Sequence, residues 1–376
     1  MALRKFKWLR KQQRYNVLLV VTTTFIVYTF LWKFTVNSGV HDSLIYKQPK
    51  VSGSGNSTYR HVIPLTTQAV SKKHTDKGLC DQWFEDSFKK NLEHIAGYPR
   101  GLADKYMYTI AENRTEPKTI FKTFPVVATA ANSGFYGISQ GLIKSVYEKL
   151  LPKYKNIKIV YYDMGLNPNQ RKQLETHCKI CEVRSFPFEK FPAHFKRLKT
   201  YAWKPIIVKT LLMEYGWVWW ADSSVRFVTS DVDRALTYSK DNSILFFTYG
   251  VVFSVAQHTD VQTMEYLKED RCKFRHFGEV EATFVLFHFD DVTHTIVDTW
   301  AACAVNENCI APQGTNRKLS CRISNKSDGR CHRFDQAVLS ILLRRLYHAK
   351  NDYPLVSTPF HIHEIKRGNA ISYFPE

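Results

Sequence analysis

Apolar runs alternate with amphipathic stretches through the larger part of the chain, from about residue 120 onwards. The runs are about four to eight residues long and end at turn residues, as buried strands do. The stretches between them place apolar residues three or four positions apart, as helices do. The predicted strands are 123–130, 157–162, 181–186, 217–221, 244–247 and 283–289, and the predicted helices are 139–151, 168–177, 205–215 and 334–346.

The order of these elements predicts an α/β fold with a mixed, mainly parallel sheet flanked by helices. Parallel neighbours need a long crossover between them, and an amphipathic helix supplies it. Ligands bind such sheets outside the carboxyl ends of the strands. We expect one domain over residues 80–376.

A different pattern occupies the first 79 residues. A basic tail without acids, 1–14, precedes the uncharged stretch 15–32, which as a helix would span about 27 Å, close to the thickness of a bilayer core. The positive-inside rule keeps the tail in the cytosol, so we expect a single-pass type II signal-anchor. A cleaved signal peptide is the alternative, although no small-residue cleavage site follows. The Ser/Thr/Gly/Lys-rich stretch 33–79 predicts a lumenal stem.

The net charge of +19 is concentrated in the same region. Residues 1–79 contain 13 Lys/Arg and two acids, whereas the remaining 297 residues contain 40 Lys/Arg and 32 acids. No nucleic-acid partner is therefore expected, because the excess lies on the tail and stem. The apolar fraction of 44% also excludes a disordered chain.

The cysteines and sequons favour a lumenal body. All eight cysteines follow the predicted anchor, which indicates up to four disulfides of open pairing in an oxidising compartment. We interpret Cys178-x-x-Cys181 as a structural disulfide, with a redox or zinc motif as the alternative. N-glycosylation sequons occur at Asn56, Asn113 and Asn325.

Two polar segments lie beside the strand 217–221. Asp222 with Ser224 follows this strand, where a carboxylate can reach a metal and a diphosphate, and a turn cap is the alternative role. Lys204 precedes the predicted helix 205–215, and a helix N-terminus with an ammonium favours phosphate. A solvated surface lysine is the alternative.

Two further segments lie near the C-terminus. Asp335 and Gln336 begin the predicted helix 334–346, where the aspartate could act chemically or cap the helix. His361 and His363 fall on one side of an extended segment and could bind a metal as a pair.

The segments 201–205 (YAWKP), 219–227 (WWADSSVRF) and 332–336 (HRFDQ) resemble an uncharacterised family of single-pass animal proteins expanded in roundworms. The domain of unknown function in that family is related to GT-A glycosyltransferases. The resemblance covers about residues 80–376 and implies a GT-A-like, Rossmann-like fold.

The resemblance also implies a ligand set. GT-A enzymes end a strand in Asp-x-Asp, which binds Mn²⁺ or Mg²⁺ and the diphosphate of the nucleotide sugar. Asp222 matches the first aspartate, whereas Ser224 replaces the second, so metal binding is expected to be weaker, differently arranged or absent. His361 or His363 would complete the metal site.

The same resemblance implies roles around the sugar. Asp335 and Gln336 match an Asp-Gln pair beside the sugar, and Glu281 lies in an acceptor-facing segment. Asp335 or Glu281 would be the base of an inverting reaction or the electrostatic partner of a retaining one. Lys204 would stabilise the leaving diphosphate.

The implied function is transfer of a sugar from a nucleotide-sugar donor to a glycan or glycoprotein acceptor in the secretory pathway. A Golgi membrane location is expected, with the endoplasmic reticulum or cell surface as alternatives. The other function to consider is a catalytically inactive GT-A-like scaffold that binds glycans or protein partners, which the missing second acid favours. A lumenal hydrolase is disfavoured because no nucleophile motif such as G-x-S-x-G occurs.

Overall fold

The computed structural model describes residues 80, 83–111, 117–118, 121, 123–248, 253–315, 321, 327–348 and 361–375. The predicted tail, anchor and stem lie outside these residues, as do the three sequons. Within the described ranges, no helix is both long enough and apolar enough to cross a bilayer. All described residues belong to one compact unit.

A six-stranded sheet lies at the centre of this unit. The strands are β1 (Val126–Ala131), β2 (Ile159–Asp163), β3 (Cys181–Ser185), β4 (Trp217–Ala221), β5 (Val225–Phe227), β6 (Ile244–Leu245), β7 (Phe284–His288) and β8 (His363–Ile365). The sheet order is β3-β2-β1-β4-β7-β6, and β5 pairs with β8 separately. The strands β3, β2, β1 and β4 are parallel, whereas β7 runs antiparallel to both β4 and β6. The predicted α/β class with a mixed, mainly parallel sheet is confirmed.

Helices cover both faces of the sheet. They are α1 (Phe88–Ala96), α2 (Asp104–Ala111), α3 (Tyr136–Ser145), α4 (Pro168–His177), α5 (Trp203–Tyr215), α6 (Asp233–Asn242), α7 (Val261–Tyr266), α8 (Asp291–Val305), α9 (Glu307–Ile310) and α10 (Phe334–Leu346). A π-helical turn, Val146–Leu150, continues α3. Every residue of β1 and β4 is buried, as expected for parallel strands covered on both faces.

The side chains of β4 show how the two apolar layers arise. Val218 and Trp220 point into the layer that contains α5, α8 and α10, whereas Trp217 and Trp219 point into the opposite layer with α3. Strand alternation produces this division, because successive side chains leave opposite faces of a sheet. The carboxyl end of β4 is therefore held rigidly between two packed apolar layers.

Some predicted boundaries were wrong, and some elements were missed. The helix predicted at 205–215 begins at Trp203, so Lys204 lies inside its first turn and not before it. The strand predicted at 244–247 is only Ile244–Leu245. The long helix α8 was missed because most of its residues are buried, which removes the one-sided apolar pattern of a surface helix.

Four disulfides pair all eight cysteines: Cys80–Cys272, Cys178–Cys181, Cys303–Cys309 and Cys321–Cys331. The Cys178–Cys181 bond joins the end of α4 to the start of β3. The prediction of a disulfide at this motif is confirmed.

Candidate functional site

The site is built where β4 ends. Asp222 follows β4 directly, and its backbone N–H donates to the Thr283 carbonyl oxygen over 2.9 Å. This contact follows from the antiparallel register of β4 and β7, which pairs Ala221 with Phe284. The segment that precedes β7 therefore lies against the carboxyl end of β4, the edge of the sheet where α/β proteins bind ligands.

Lys204 joins three chain segments at this edge. Its Nζ lies 3.1 Å from Asp222 Oδ1 and 2.7 Å from Asp335 Oδ2. The same ammonium donates to the Ala282 carbonyl oxygen at 3.3 Å. The lysine side chain is only 3% exposed, so the sequence-based alternative of a solvated surface lysine is wrong.

Aromatic rings surround the ion pairs. The Trp220 indole N–H donates to Asp222 Oδ1 over 2.7 Å. Lys204 Nζ lies 5.4 Å from the ring centroids of both Tyr201 and Trp220, within the range of cation–π attraction. Tyr201 is 40% exposed and has the positive φ of 52° that is uncommon for a bulky residue. Its ring is therefore a surface-accessible aromatic group directly beside the buried ammonium.

Asp335 enters the site from the first turn of α10. The Trp300 indole N–H donates to its carbonyl oxygen over 2.9 Å, and the preceding Phe334 has a left-handed φ of 46°. Such a conformation costs on the order of 1–3 kcal/mol and is maintained only where surrounding contacts impose it. The side chain of Asp335 faces Lys204, and its role in the chemistry stays a prediction.

The protonation states follow from burial and charge. Burial raises the pKa of Asp335 to about 6, although Lys204 opposes this shift. Burial alone would lower the pKa of Lys204, but the attraction of Asp222 and Asp335 outweighs it and raises that pKa. When Lys204 and Asp222 are both charged, the formal charges of the three side chains add up to zero if Asp335 is protonated. They add up to one negative charge if Asp335 is ionised.

Glu281 forms a second buried pair with His363. Glu281 Oε1 lies 3.1 Å from His363 Nε2, and the His363 ring stacks on Phe284 with centroids 4.0 Å apart. The pairing of β8 with β5 brings His363 opposite Phe227 and so into the core. Glu281 Oε2 and His363 Nδ1 are buried and have no hydrogen-bond partner among the described residues.

Glu279 organises a network that sequence reasoning did not find. Its Oε2 lies 2.5 Å from His258 Nδ1, and its Oε1 accepts from Gln336 Nε2 over 3.0 Å. The spacing of Glu279 and Glu281 was a usable signal, because residues two apart share one side of an extended segment. Nothing in the sequence indicated His258. Gln336, predicted to contact the sugar, has its amide on Glu279 in the structure.

The residues predicted to hold a metal are not assembled into a metal site. In the described part of the chain, no group of three His, Cys, Asp or Glu ligands at mutual metal-binding distance includes Asp222, His361 or His363. Asp222 Oδ1 already meets Lys204 and Trp220, and His363 Nε2 meets Glu281. His361 is exposed. This donor set does not fit a divalent ion, and Mn²⁺ or Mg²⁺ stays a prediction from the sequence.

Ser224 stabilises the turn after β4 through its backbone carbonyl group. Its carbonyl oxygen accepts from the Lys366 N–H over 2.8 Å, which fixes the C-terminal segment along the turn after β4. Arg226 supports the same turn, because it donates to the Ser223 carbonyl oxygen over 2.9 Å.

Comparison with known proteins gives a partial family match. Residues 83–209 match the profile of a family described as "Protein of unknown function (DUF1647)". The match includes Lys204 but ends before Asp222. No curated protein sequence matches the chain.

Several solved structures share parts of the fold, and they are glycosyltransferases. The bifunctional glycosyltransferase WbbM matches with 12% identity and a TM-score of 0.39, over 62% of this chain but only 39% of WbbM. The galactosyltransferase LgtC, in complex with donor and acceptor sugar analogues, has 12% identity and a TM-score of 0.35, over 59% of this chain and 70% of LgtC. Core-mannan synthase A of Aspergillus fumigatus, in its Mn/GDP form, has 10% identity and a TM-score of 0.37, over 62% and 72%. Likeness at this level assigns no activity to this chain.

Proposed function

We propose that the protein transfers a sugar from a nucleotide-sugar donor to a glycan or glycoprotein acceptor. The observation that carries the proposal is the meeting of Asp222, Lys204 and Asp335 at the carboxyl end of β4. A nucleoside diphosphate that leaves a sugar gains negative charge, and a pre-positioned cation in a water-poor site stabilises it strongly. Lys204 is the cation of this site, and because Asp222 and Asp335 leave the cluster without net positive charge, an incoming diphosphate would take over one of their contacts with the ammonium.

The exposed members of the site define where the donor would bind. Asp222 has 28% of its side chain exposed and Tyr201 is 40% exposed, whereas Lys204 lies just beneath them. In the proposed complex, the base or sugar stacks on Tyr201, Asp222 contacts the ribose or the sugar, and the diphosphate approaches Lys204. The sequence resemblance to GT-A-related proteins supports the same placement of the donor.

The transfer step requires a new glycosidic bond and a proton acceptor. The bond between the anomeric carbon and the diphosphate oxygen breaks, and its electron pair leaves with the diphosphate. The acceptor hydroxyl oxygen bonds to the anomeric carbon, and in an inverting reaction its proton passes to a carboxylate of the protein. Glu281 and Asp335 are the proposed carboxylates, and Glu281 Oε2 is an oxygen without a hydrogen bond from the described residues.

The cellular setting is part of the proposal. The basic tail, the uncharged stretch 15–32 and the stem would place the catalytic body in the lumen of the Golgi as a type II membrane protein. Four disulfides support an oxidising compartment.

Donor hydrolysis by the full-length protein in detergent tests the proposal. The protein is incubated with a panel of uridine, guanosine and cytidine nucleotide sugars, and released nucleotide is measured. We expect release from at least one donor and its loss in Asp222→Asn. Asp233→Asn is the matched control, because Asp233 is a surface acid that pairs with Lys153.

Replacement of the second acid by Ser224 favours an inactive scaffold as the second candidate. The same experiment separates the two functions. Release of nucleotide that depends on Asp222 supports the enzyme. Binding of a glycan by the wild type, with no nucleotide bound or released under any condition, supports the scaffold.

A further inference from the structure

We propose that the Lys204 ammonium takes the place of a divalent cation between Asp222 and Asp335, so that nucleotide binding at this site needs no metal. The inference rests on the proposed function for its biological meaning and concerns the same site. It names the cation that a diphosphate would meet at this site.

The Lys204 ammonium lies between two acids at the carboxyl end of β4. One Nζ atom lies within 3.1 Å of oxygens from Asp222 and Asp335, two acids on different elements of the fold. It also donates a hydrogen bond to the Ala282 carbonyl oxygen. Two carboxylate oxygens and a carbonyl oxygen around one point are the ligands that hard divalent ions prefer. The chain places its own cation at that point.

The surroundings of this ammonium are rigid. Lys204 is the second residue of α5. The rings of Trp220 and Tyr201 pack beside its ammonium, with both centroids 5.4 Å from Nζ. Among the described residues, this ammonium is the only partner of Asp335 Oδ2, and it compensates the charge of that carboxylate. Removing such a partner leaves an uncompensated buried charge, which proteins tolerate poorly. The cation is therefore a permanent part of the site.

The site offers few other ligands for a metal ion. Asp222 Oδ1 is engaged by Lys204 and Trp220, and Ser224 stands where a second acid would be needed. His363 faces Glu281 through Nε2. A metal would therefore have to displace the ammonium, and repulsion between two cations opposes that exchange.

The test uses Mn²⁺ alone as the probe, so that it does not depend on any sugar donor. Binding to the full-length protein is measured from the electron paramagnetic resonance signal of free Mn²⁺. We expect no Mn²⁺ bound at this site in the wild type, and one ion bound in Lys204→Ala, where the two carboxylates lose their counter-ion. The double variant Lys204→Ala/Asp222→Asn should lose that ion again.

The matched control is Lys209→Met, which removes another buried lysine of α5 that is paired with Asp298 and lies outside the site. This variant should bind no Mn²⁺. Mn²⁺ bound to the wild type and lost in Asp222→Asn overturns the inference, and so does a folded Lys204→Ala that binds none. If Lys204→Ala does not fold, Lys204→Gln replaces it. The wild-type measurement still tests the inference, because Mn²⁺ bound at this site in the wild type overturns it.

Donor binding in the presence of EDTA separates this inference from the proposed function. We expect unchanged affinity for whichever nucleotide sugar the panel identifies, and a tenfold or larger loss would overturn the inference. Failure of every donor to bind would overturn the proposed function and leave the Mn²⁺ result as the test of the cation site.

Discussion

Lys204 on α5 and Asp335 on α10 form a buried ion pair, with 2.7 Å between the lysine Nζ and the aspartate Oδ2. The two helices are far apart in the sequence, since α5 begins at Trp203 and α10 at Phe334. Their first turns nevertheless meet at the carboxyl end of β4. Because this pair also contacts Asp222, it links the stability of the domain to the chemistry of the site.

Lys204→Met should destabilise the protein by about 3–5 kcal/mol, the usual cost of leaving a buried charge without its partner. Adding Asp335→Asn removes the uncompensated carboxylate, so the double variant should recover part of that loss. Chemical denaturation of the wild type, Lys204→Met, Asp335→Asn and the double variant measures both effects. Additive losses in the double variant would show that the two side chains are not coupled.

The raised pKa of Asp335 predicts a pH dependence of stability. Its value is about 6 in the folded protein against 3.8 for an unperturbed aspartate. The folded state therefore binds this proton more tightly, and the resulting stabilisation is complete below pH 3.8 and is lost as the pH rises through about 6. Between these two limits, the free energy of unfolding should fall by about 3 kcal/mol. The free energy of unfolding of the wild type and of Asp335→Asn, measured at several pH values, isolates this contribution. If the two plots against pH run parallel, Asp335 is not the group with the raised pKa.

The sequence predicted the sheet better than the site. Long apolar runs such as β1 and β4 were predicted to within a few residues, because complete burial between two helical layers imposes a continuous apolar pattern. Asp222 was found from its place after β4. The ion pair of Lys204 with Asp335 could not be predicted, since it depends on how two distant helices pack and leaves no periodic signal. The same limit hid the contact of Glu279 with His258.

Tyr201 should contribute to donor binding but little to stability, because its ring lies at the surface beside Lys204. Stacking of a base on an aromatic ring is worth about 1–3 kcal/mol, so Tyr201→Ala should weaken donor binding by roughly 5- to 150-fold. Tyr201→Phe keeps the ring and should bind like the wild type. Equal affinities of all three proteins would place the donor elsewhere.

Glu281→Gln tests the proposed proton acceptor. The substitution keeps the size of the buried side chain and leaves Lys204 and Asp222 unchanged. If Glu281 accepts the acceptor proton, the rate of transfer should fall about 10²- to 10⁴-fold, with donor affinity unchanged. An unchanged rate would leave Asp335 as the remaining carboxylate candidate.

The most direct measurement is calorimetric titration of the wild type, Lys204→Met and the control Lys209→Met with each nucleotide sugar of the panel. The account predicts that one donor binds the wild type and the control alike. It also predicts at least about a tenfold weaker affinity for Lys204→Met, equivalent to 1.4 kcal/mol or more. A donor that binds Lys204→Met as tightly as the wild type, or a panel without any binder, would contradict the claim that this site receives a nucleotide sugar.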